Sequence, residues 1–402
     1  GEWLTPAGAR FDIQLKGAGQ TPYSRGGDGK SPVGPVVREY LVSEAMHHLG
    51  VPTTRALAAI ATGDPVYRSY QEPGAVLVRV AKSHLRFGSI QYFAMTKDGE
   101  GLAELVSYAA DRHFADSVLA KNAKSVEAKA EVLLEETVKR IATLVAQWQS
   151  LGFVHGVMNT DNMLLSGETI DYGPCAFIDT FKADAKFSAI DTQGRYRLAN
   201  QPGIAHWNTS VLASCLLKVL NTKEEAAVAY AQTVIDEFPS WYTTAYKSQI
   251  AVKLGLDAFR PDDTQLHDQF LTVLERDALD HTLAYRWLVH EALQDGGHTP
   301  ISELFTPSEG LRTWVKDWQL RRADNSEENS ETAHKMQHAN PVVIPRNHQV
   351  AEAIARAETG DYDYLQSAFE RWKQPYEWQD QDRNWAAAPE PSERVHQTFC
   401  GT

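Results

Sequence analysis

The sequence predicts an α+β fold in two lobes, a small β-rich lobe followed by a larger, mainly helical one, with a C-terminal tail. Three observations carry this reading. Residues 1–95 alternate short β-like runs with turns, and from about residue 100 the apolar residues recur at helical spacing. Between residues 155 and 174 a dense polar segment, HGVMNTDNMLLSGETIDYGP, interrupts the helical pattern. A chain of 402 residues is long enough for a large two-lobed enzyme. The divisions read as 1–95 for the small lobe, 96–340 for the helical lobe and 341–402 for a C-terminal extension. The chain opens at Gly1, part-way into a strand region, and reads as a fragment or processed product whose small lobe is truncated at its start.

Phe11-Asp12-Ile13-Gln14-Leu15-Lys16 alternates apolar and polar side chains, as a half-buried strand does. Gly17 to Gly34 carries six glycines and two prolines and reads as loop. A helix then starts near Pro35, which a first turn tolerates, and ends at Gly50. Ala56–Ala61 and Ala75–Val80 read as two more strands, with Gly63-Asp64 and Pro73-Gly74 as their turns. Leu134, Val138, Ile141, Val145 and Trp148 fall on one helix face, and Gly152 stops that helix. Beyond residue 205 apolar helical patterns alternate with short polar breaks, and Asp324–Asn329 reads as an exposed linker. The tail holds a helix near Gln349–Glu358, then an irregular end containing Trp and Pro. No internal repeat is evident.

Composition narrows the function. An apolar share of 43% with ten tryptophans fits a packed globular protein. A net charge of −13 argues against nucleic acid as a bulk partner, so any phosphate site must be a local basic cluster. No apolar run approaches the ~20 residues of a membrane span, and nothing resembles a signal peptide. Three scattered cysteines, Cys175, Cys215 and Cys400, are too few for a disulfide framework or a zinc site and fit a reducing cytoplasm.

The 155–174 segment resembles the catalytic centre of a protein kinase with one part moved. There, a His-x-Asp opening is followed by an Asn seven residues after the His, and then by a DFG-type Asp. Here Asn162 lies seven residues after His155, and Asp171 opens Asp171-Tyr172-Gly173. The acid expected two residues after the His is replaced by Val157, and another carboxylate, Asp161, stands beside Asn162. Asn162 and Asp171 are hard oxygen donors suited to Mg²⁺, and Asp161 could take a proton from a hydroxyl nucleophile. Asp161 also lies in a run rich in capping residues and reads equally as a turn cap. Lys16 and Glu39 have the spacing of a strand Lys that holds phosphates and its helix partner, and equally of a surface Lys and a Glu favoured by the helix dipole. Arg25-Gly26-Gly27-Asp28-Gly29-Lys30 offers backbone N–H groups to phosphate, or is simply a turn. Arg79 and Arg86 could grip a phosphate, or be solvated.

Longer motifs add a resemblance. LKGAGQTPYSRGGDGK, VREYLVSEAMHHLGVPTTRAL, LVRVAKSHLRFG and HGVMNTDNM…DYGP resemble the selenoprotein O family of protein adenylyltransferases. The likeness continues through DTQGRYRLANQPGIAHWN at 191–208, NPVVIPRNHQVAEAI at 340–354, GDYDYL at 360–365 and a Cys near the end, and covers nearly the whole chain. It implies a protein-kinase-like fold that binds ATP in a flipped orientation and transfers AMP to Ser, Thr or Tyr of protein substrates with Mg²⁺ or Mn²⁺. It implies Lys16 and Glu39 as the phosphate-binding pair and Asp28 and Gly29 as nucleotide contacts. Arg79 and Arg86 would hold the outer phosphate, Asp161 would be the acid/base, and Asn162 and Asp171 the metal ligands. The chain departs from the family at Lys30, where Arg is usual. Because some family members carry selenocysteine near this end, the resemblance also suggests a reversible Cys175–Cys400 disulfide, against two unrelated thiols. An ordinary kinase and a non-catalytic pseudokinase scaffold are the competing expectations; Val157 counts against the first, the retained metal ligands against the second.

Overall fold

The computed structural model describes the chain except Tyr23, Arg25, Ser69, residues 294–299, 380–381 and 400–402, and the side chain of Asn329. Arg25 of the glycine-rich loop and Cys400 of the suggested disulfide therefore lie outside the described residues.

The protein is α+β. The N-terminal part is a five-stranded antiparallel sheet: β1 (Glu2–Leu4), β2 (Arg10–Lys16), β3 (Ser31–Pro32), and, after helix α1 (Val33–His48), β4 (Arg55–Tyr67) and β5 (Gln71–Ala81). β5 is the hub, pairing with β2, β3 and β4. Its register sets Gln14 opposite Arg79 and Lys16 opposite Leu77. The two strands expected at 56–61 and 75–80 are longer than their sequence cores, and the expected turns are not where the chain reverses. Gly63-Asp64 falls on a register shift between Ala61 and Pro65, where β4 bulges, and Pro73-Gly74 lies inside β5, opposite Pro65 and Pro32. The reversal comes between Tyr67 and Gln71. Gly and Pro here mark irregular edge pairing instead of a turn. Gly34, expected in the loop, already belongs to α1, whose N-cap is Pro32.

Helices then dominate: α2 (Phe87–Thr96), α3 (Gly99–Phe114) and the long α4 (Val126–Leu151). Ser125 caps α4, accepting from the Ala128 N–H, and Gly152 ends it at φ 70. Leu134, Val138, Ile141, Val145 and Trp148 are all buried, as their spacing requires. Burying one such side chain is worth roughly 1.5–3 kcal/mol, so this face alone anchors the helix. The short hairpin β6 (Phe153–Val154) and β7 (Ala176–Phe177) follows and brackets the 155–175 segment.

Then come α5 (Gln201–Leu220), α6 (Glu224–Asp236), α7 (Phe238–Lys253), α8 (Asp263–Arg276), α9 (His281–Leu293), α10 (Ile301–Leu304), α11 (Glu309–Ala323) and α12 (Asn329–Ala339). The polar 324–328 stretch joins α11 to α12, and Asn325 Nδ2 ties it to the Gly255 carbonyl at 2.8 Å. The tail carries more helix than its composition suggests: α13 (Asn347–Glu358), α14 (Asp363–Trp372) and α15 (Asp382–Ala386). It is also built into the core, since Val342, Val343, Ile344, Val350 and Trp372 share one buried cluster with Val36, Leu41 and Met46 of α1. Arg346, 1% exposed, locks it further by pairing with Asp179 and Asp280. Among the described residues no helix is long and apolar enough to cross a membrane.

Candidate active site

β2 delivers Lys16 at its end, β5 delivers Arg79, α1 delivers Glu39, and Arg86 precedes α2. These side chains meet at Asp171. Lys16 Nζ lies 2.7 Å from Glu39 Oε2 and 3.0 Å from Asp171 Oδ1. Arg79 donates through Nε to Glu39 Oε1 at 2.7 Å, through Nη1 to Gln14 Oε1 at 2.9 Å and through Nη2 to Asp171 Oδ1 at 2.5 Å. Arg86 Nη1 donates to Asp171 Oδ2 at 2.8 Å and to the Asp161 carbonyl at 2.6 Å. Three cations thus surround two carboxylates, and Glu39 and Arg79 are each 1% exposed. Burial would raise the Asp171 pKa, but Arg79, Lys16 and Arg86 outweigh it and hold the carboxyl well below the usual range. Burial likewise pulls on Lys16 and Arg79, and the two acids keep both firmly charged.

Asp171 takes a left-handed backbone conformation at φ 61, unusual for a residue with a side chain. Neighbouring bonds impose it. The Gly173 N–H donates to the Asp171 carbonyl at 2.8 Å, the Thr169 N–H to Pro52 O at 2.9 Å and the Thr54 N–H to Thr169 O at 2.9 Å. The buried Tyr172 hydroxyl bonds that of Thr53. The metal-turn candidate is thereby stitched to the segment joining α1 to β4.

The loop between His155 and Asn162 is held from beneath by residues outside it. The His155 N–H donates to Gln201 Oε1 at 2.9 Å, and Gln201 Nε2 donates to Phe153 O at 2.9 Å. The ring Nε2 of His155 faces the Ile170 carbonyl at 2.9 Å and so carries the proton, and burial keeps the imidazole neutral by lowering its pKa. Asn208 Nδ2 donates to Met158 O at 2.8 Å and the Tyr196 hydroxyl to Asn159 Oδ1 at 2.7 Å. Tyr196, Gln201 and Asn208 all come from the 191–208 motif, whose supporting role the sequence reading missed. A signal existed: Gln201 and Asn208 are polar residues within an apolar helical run, and both are fully buried. Asn162 Nδ2 donates to Val157 O at 2.9 Å, which leaves the amide oxygen on the other side of the group. Val157, where a kinase base would stand, is itself buried.

Asp161 lies against the N-terminus of α2. A Cβ placed on Gly88 would stand 2.2 Å from Asp161 Oδ1, so only glycine allows this approach. The positive end of the α2 dipole therefore faces the carboxylate. Asp28 and Gly29 are bonded elsewhere. Asp28 accepts from Arg68 Nη1 and Nη2 at 3.0 Å each and from the Lys30 N–H at 3.0 Å; the sequence reading did not single out Arg68. Gly29 is required: its φ is +66, and a Cβ would fall 2.0 Å from the Gly19 carbonyl oxygen. This pair shapes the glycine-rich loop, and among the described residues its hydrogen bonds run to Arg68, Lys30 and Gly19 and not to the Lys16–Asp171 cluster. Cys175 and Cys215 are free thiols. Cys175 is fully buried, and burial pushes its thiol up to about 12. Thr398 Oγ1 donates to Pro174 O at 2.7 Å, so the tail touches the residue before it.

Among the described residues no group of three or more His, Cys, Asp or Glu side chains could hold a metal. A metal here would rest on two protein oxygens, Asn162 Oδ1 and Asp171, with the remaining ligands from phosphate and water. That is the usual donor set for Mg²⁺, and the orientation of Asn162 fits it.

Comparison with known proteins gives the class: the chain is a nucleotidyltransferase. More narrowly, the family model described as Protein adenylyltransferase SelO matches residues 1–373, and the chain belongs to that family. It is similar to Protein nucleotidyltransferase YdiU of Geobacillus kaustophilus, 47% identical over 403 residues that cover 100% of this chain and 81% of the relative. The proteins of the same name from Anoxybacillus flavithermus and Bacillus mycoides are 45% and 44% identical, each covering 100% of this chain and 80% of the relative.

Proposed function

We propose that the protein transfers AMP from ATP to the hydroxyl of Ser, Thr or Tyr side chains of protein substrates, on a protein-kinase-like two-lobed scaffold. The observation that carries the reading is the cluster of Lys16, Arg79 and Arg86 around Asp171, with Arg86 also bonded to the backbone of Asp161. An excess of positive charge, with Arg79 buried and Lys16 and Arg86 partly exposed, suits a polyanion, and a proton acceptor stands beside it. In this reading Asp161 removes the proton of the attacking hydroxyl. Lys16, positioned by Glu39, binds phosphate, and Arg79 and Arg86 hold the outer phosphates of an ATP bound in the inverted sense, with its α-phosphate toward the hydroxyl. Asp28 and Gly29 contact the nucleotide. Asn162 and Asp171 hold Mg²⁺ or Mn²⁺, which neutralises phosphate charge when bound. Because both oxygens of Asp171 already accept from cations, the basic side chains exchange Asp171 for phosphate as ATP enters.

The divisions at 1–95, 96–340 and 341–402, and a cytoplasmic setting, belong to the same proposal. So does the Cys175–Cys400 bridge: the tail contact at Pro174 supports it, while the buried, fully protonated Cys175 would have to be uncovered first. Incubation with Mg²⁺, a protein acceptor and ATP labelled at either the α- or the γ-phosphate tests the function. Label reaching protein from the α-position alone is expected. Transfer of the γ-label would show an ordinary kinase, and no transfer of either a scaffold.

A further inference from the structure

Two sets of exposed side chains adjoin the turn Thr160–Asn162, which bears Asp161. One set is on α2. Gly88, against which Asp161 rests, shares a helix face with Tyr92 and Met95, four and seven residues on, and both are exposed. Thr160 Oγ1 donates to Gln91 Oε1 of the same helix at 3.0 Å and holds the turn to it. The other set lies where the chain enters α5. The Tyr196 hydroxyl reaches Asn159, two residues before Asp161, at 2.7 Å. The Arg195 guanidinium lies 5.8 Å from the centre of the Tyr196 ring and 5.0 Å from that of Trp207, which is 51% exposed. The Arg195–Trp207 pair is thus one tyrosine ring away from the loop that bears Asp161.

The charge of Arg195 is left over. Asp191, the acid closest to it in sequence, is 6% exposed and accepts from the N–H groups of Arg195 at 2.7 Å and Tyr196 at 2.8 Å. That carboxylate fixes the backbone and so pre-organises the side chain that follows. Among the described residues no carboxylate pairs with the guanidinium of Arg195 or of Arg197. Residues 182–197 hold four basic residues and two acids, in a chain whose net charge is −13. The local field there opposes that of the whole molecule. An arginine stacked on an aromatic face keeps the edge of its fork free for a carboxylate. Trp and Arg are also the residue types that most often carry the energy of a protein contact.

We infer that this surface takes the acceptor segment of the protein substrate, and that the segment carries an acidic residue within about three positions of the hydroxyl, since extended chain advances ~3.3 Å per residue. The carboxylate pairs with Arg195, and the chain beside it packs on Trp207. Residues on the far side of the hydroxyl run along Tyr92 and Met95. This inference rests on the transfer reading above and adds a substrate class to it: Ser, Thr or Tyr in an acidic setting.

The test is fluorescence anisotropy on the full chain with Mg²⁺ and a non-hydrolysable ATP analogue. Three labelled peptides are compared, each with a central Ser, flanked on both sides by Asp, by Asn or by Lys. The net charge of the protein works against the Asp peptide, so a preference for it has to come from a local site. The Asp peptide should bind about fivefold more tightly than the Asn peptide, the worth of a well-made exposed ion pair. Arg195→Glu should turn the preference toward the Lys peptide, a reversal that lost packing would not produce. Trp207→Ala should weaken the Asp and Asn peptides alike. Equal or absent binding of the Asp and Asn peptides, or a preference that survives Arg195→Glu, overturns the inference. The wild-type comparison decides the matter even if a variant does not fold. ATP labelled at the α- or the γ-phosphate then separates this inference from the reading beneath it. Equal α-label on the Asp and Asn peptides sinks the acidic preference and leaves AMP transfer standing. An acidic preference carried by the γ-label upholds the acceptor surface and removes AMP transfer.

Discussion

Two carboxylates in the same loop region, Asp161 and Asp171, meet different surroundings. Asp171 is enclosed by three cations, which suits a group that will face phosphate and metal. Asp161 lies instead against the N-terminus of α2, beside Gly88. Asp161→Ala is therefore expected to keep ATP binding and lose transfer by ~10²–10⁴-fold. Undiminished α-label incorporation would remove Asp161 from the chemistry. Because Asp171 is neutralised by Lys16, Arg79 and Arg86, Mg²⁺ or Mn²⁺ alone should bind weakly, and ATP should create the metal site. Calorimetric titration of Mn²⁺ with and without a non-hydrolysable ATP analogue checks this, and equal affinity in both would contradict it. Glu39 has a structural share as well. Glu39→Ala leaves Arg79 in the core with one acid fewer, a change that typically costs about 3–5 kcal/mol, readable as a lower urea midpoint. A midpoint unmoved by the substitution would mean that Asp171 alone compensates Arg79.

At the level of elements, periodicity made α4 legible because its buried face repeats from Leu134 to Trp148, with Gly152 marking the end. The sheet was only half legible. Alternation found the cores of β4 and β5, but Gly63-Asp64 and Pro73-Gly74 carry the composition of turns while sitting at a bulge and inside an edge pairing. The tail helix α14 was missed although its buried Leu365, Ala368 and Trp372 recur at helical spacing, because the Trp- and Pro-containing composition around it was read as irregular. Spacing brought Lys16, Glu39, Asn162 and Asp171 into view. Gln201, Asn208 and Arg68 escaped, because their roles arise from contacts across long stretches of sequence. Gly29→Ala probes the glycine-rich loop: with a Cβ driven toward Gly19 O at a positive φ, the loop must open. ATP affinity should fall by about tenfold or more while thermal stability changes little, since a 1.4 kcal/mol loss already equals that factor. Unchanged affinity would take the Asp28–Gly29 loop out of the nucleotide site.

For the whole molecule, acid is the weak side. Burial holds His84, His113 and His267 near 4 instead of the ordinary 6.5. A neutral buried imidazole contributes stability above its unfolded pKa and loses that contribution as pH falls toward its folded one. His267, 3% exposed, accounts on its own for about 3 kcal/mol between pH 6.5 and 4. The urea midpoint should therefore drop clearly from pH 7.5 to pH 5. A flat profile over that range would mean that these rings are protonated in the folded state.

The contact between Thr398 and Pro174 spans 224 positions of sequence, and that between Tyr376 and Leu49 spans 327. Such long-range closures form late, since the loop entropy must be met before the contact rewards it. The order of synthesis then matters: the ribosome makes Asp171 and Pro174 long before it makes Thr398, which clasps that turn. A chain still being translated would hold an unfinished turn at Pro174 until the segment bearing Thr398 has emerged. A version ending at residue 390 should accordingly show faster amide exchange at 169–175 than the full chain and weaker ATP binding. Identical exchange in the two would mean that the centre matures without its clasp.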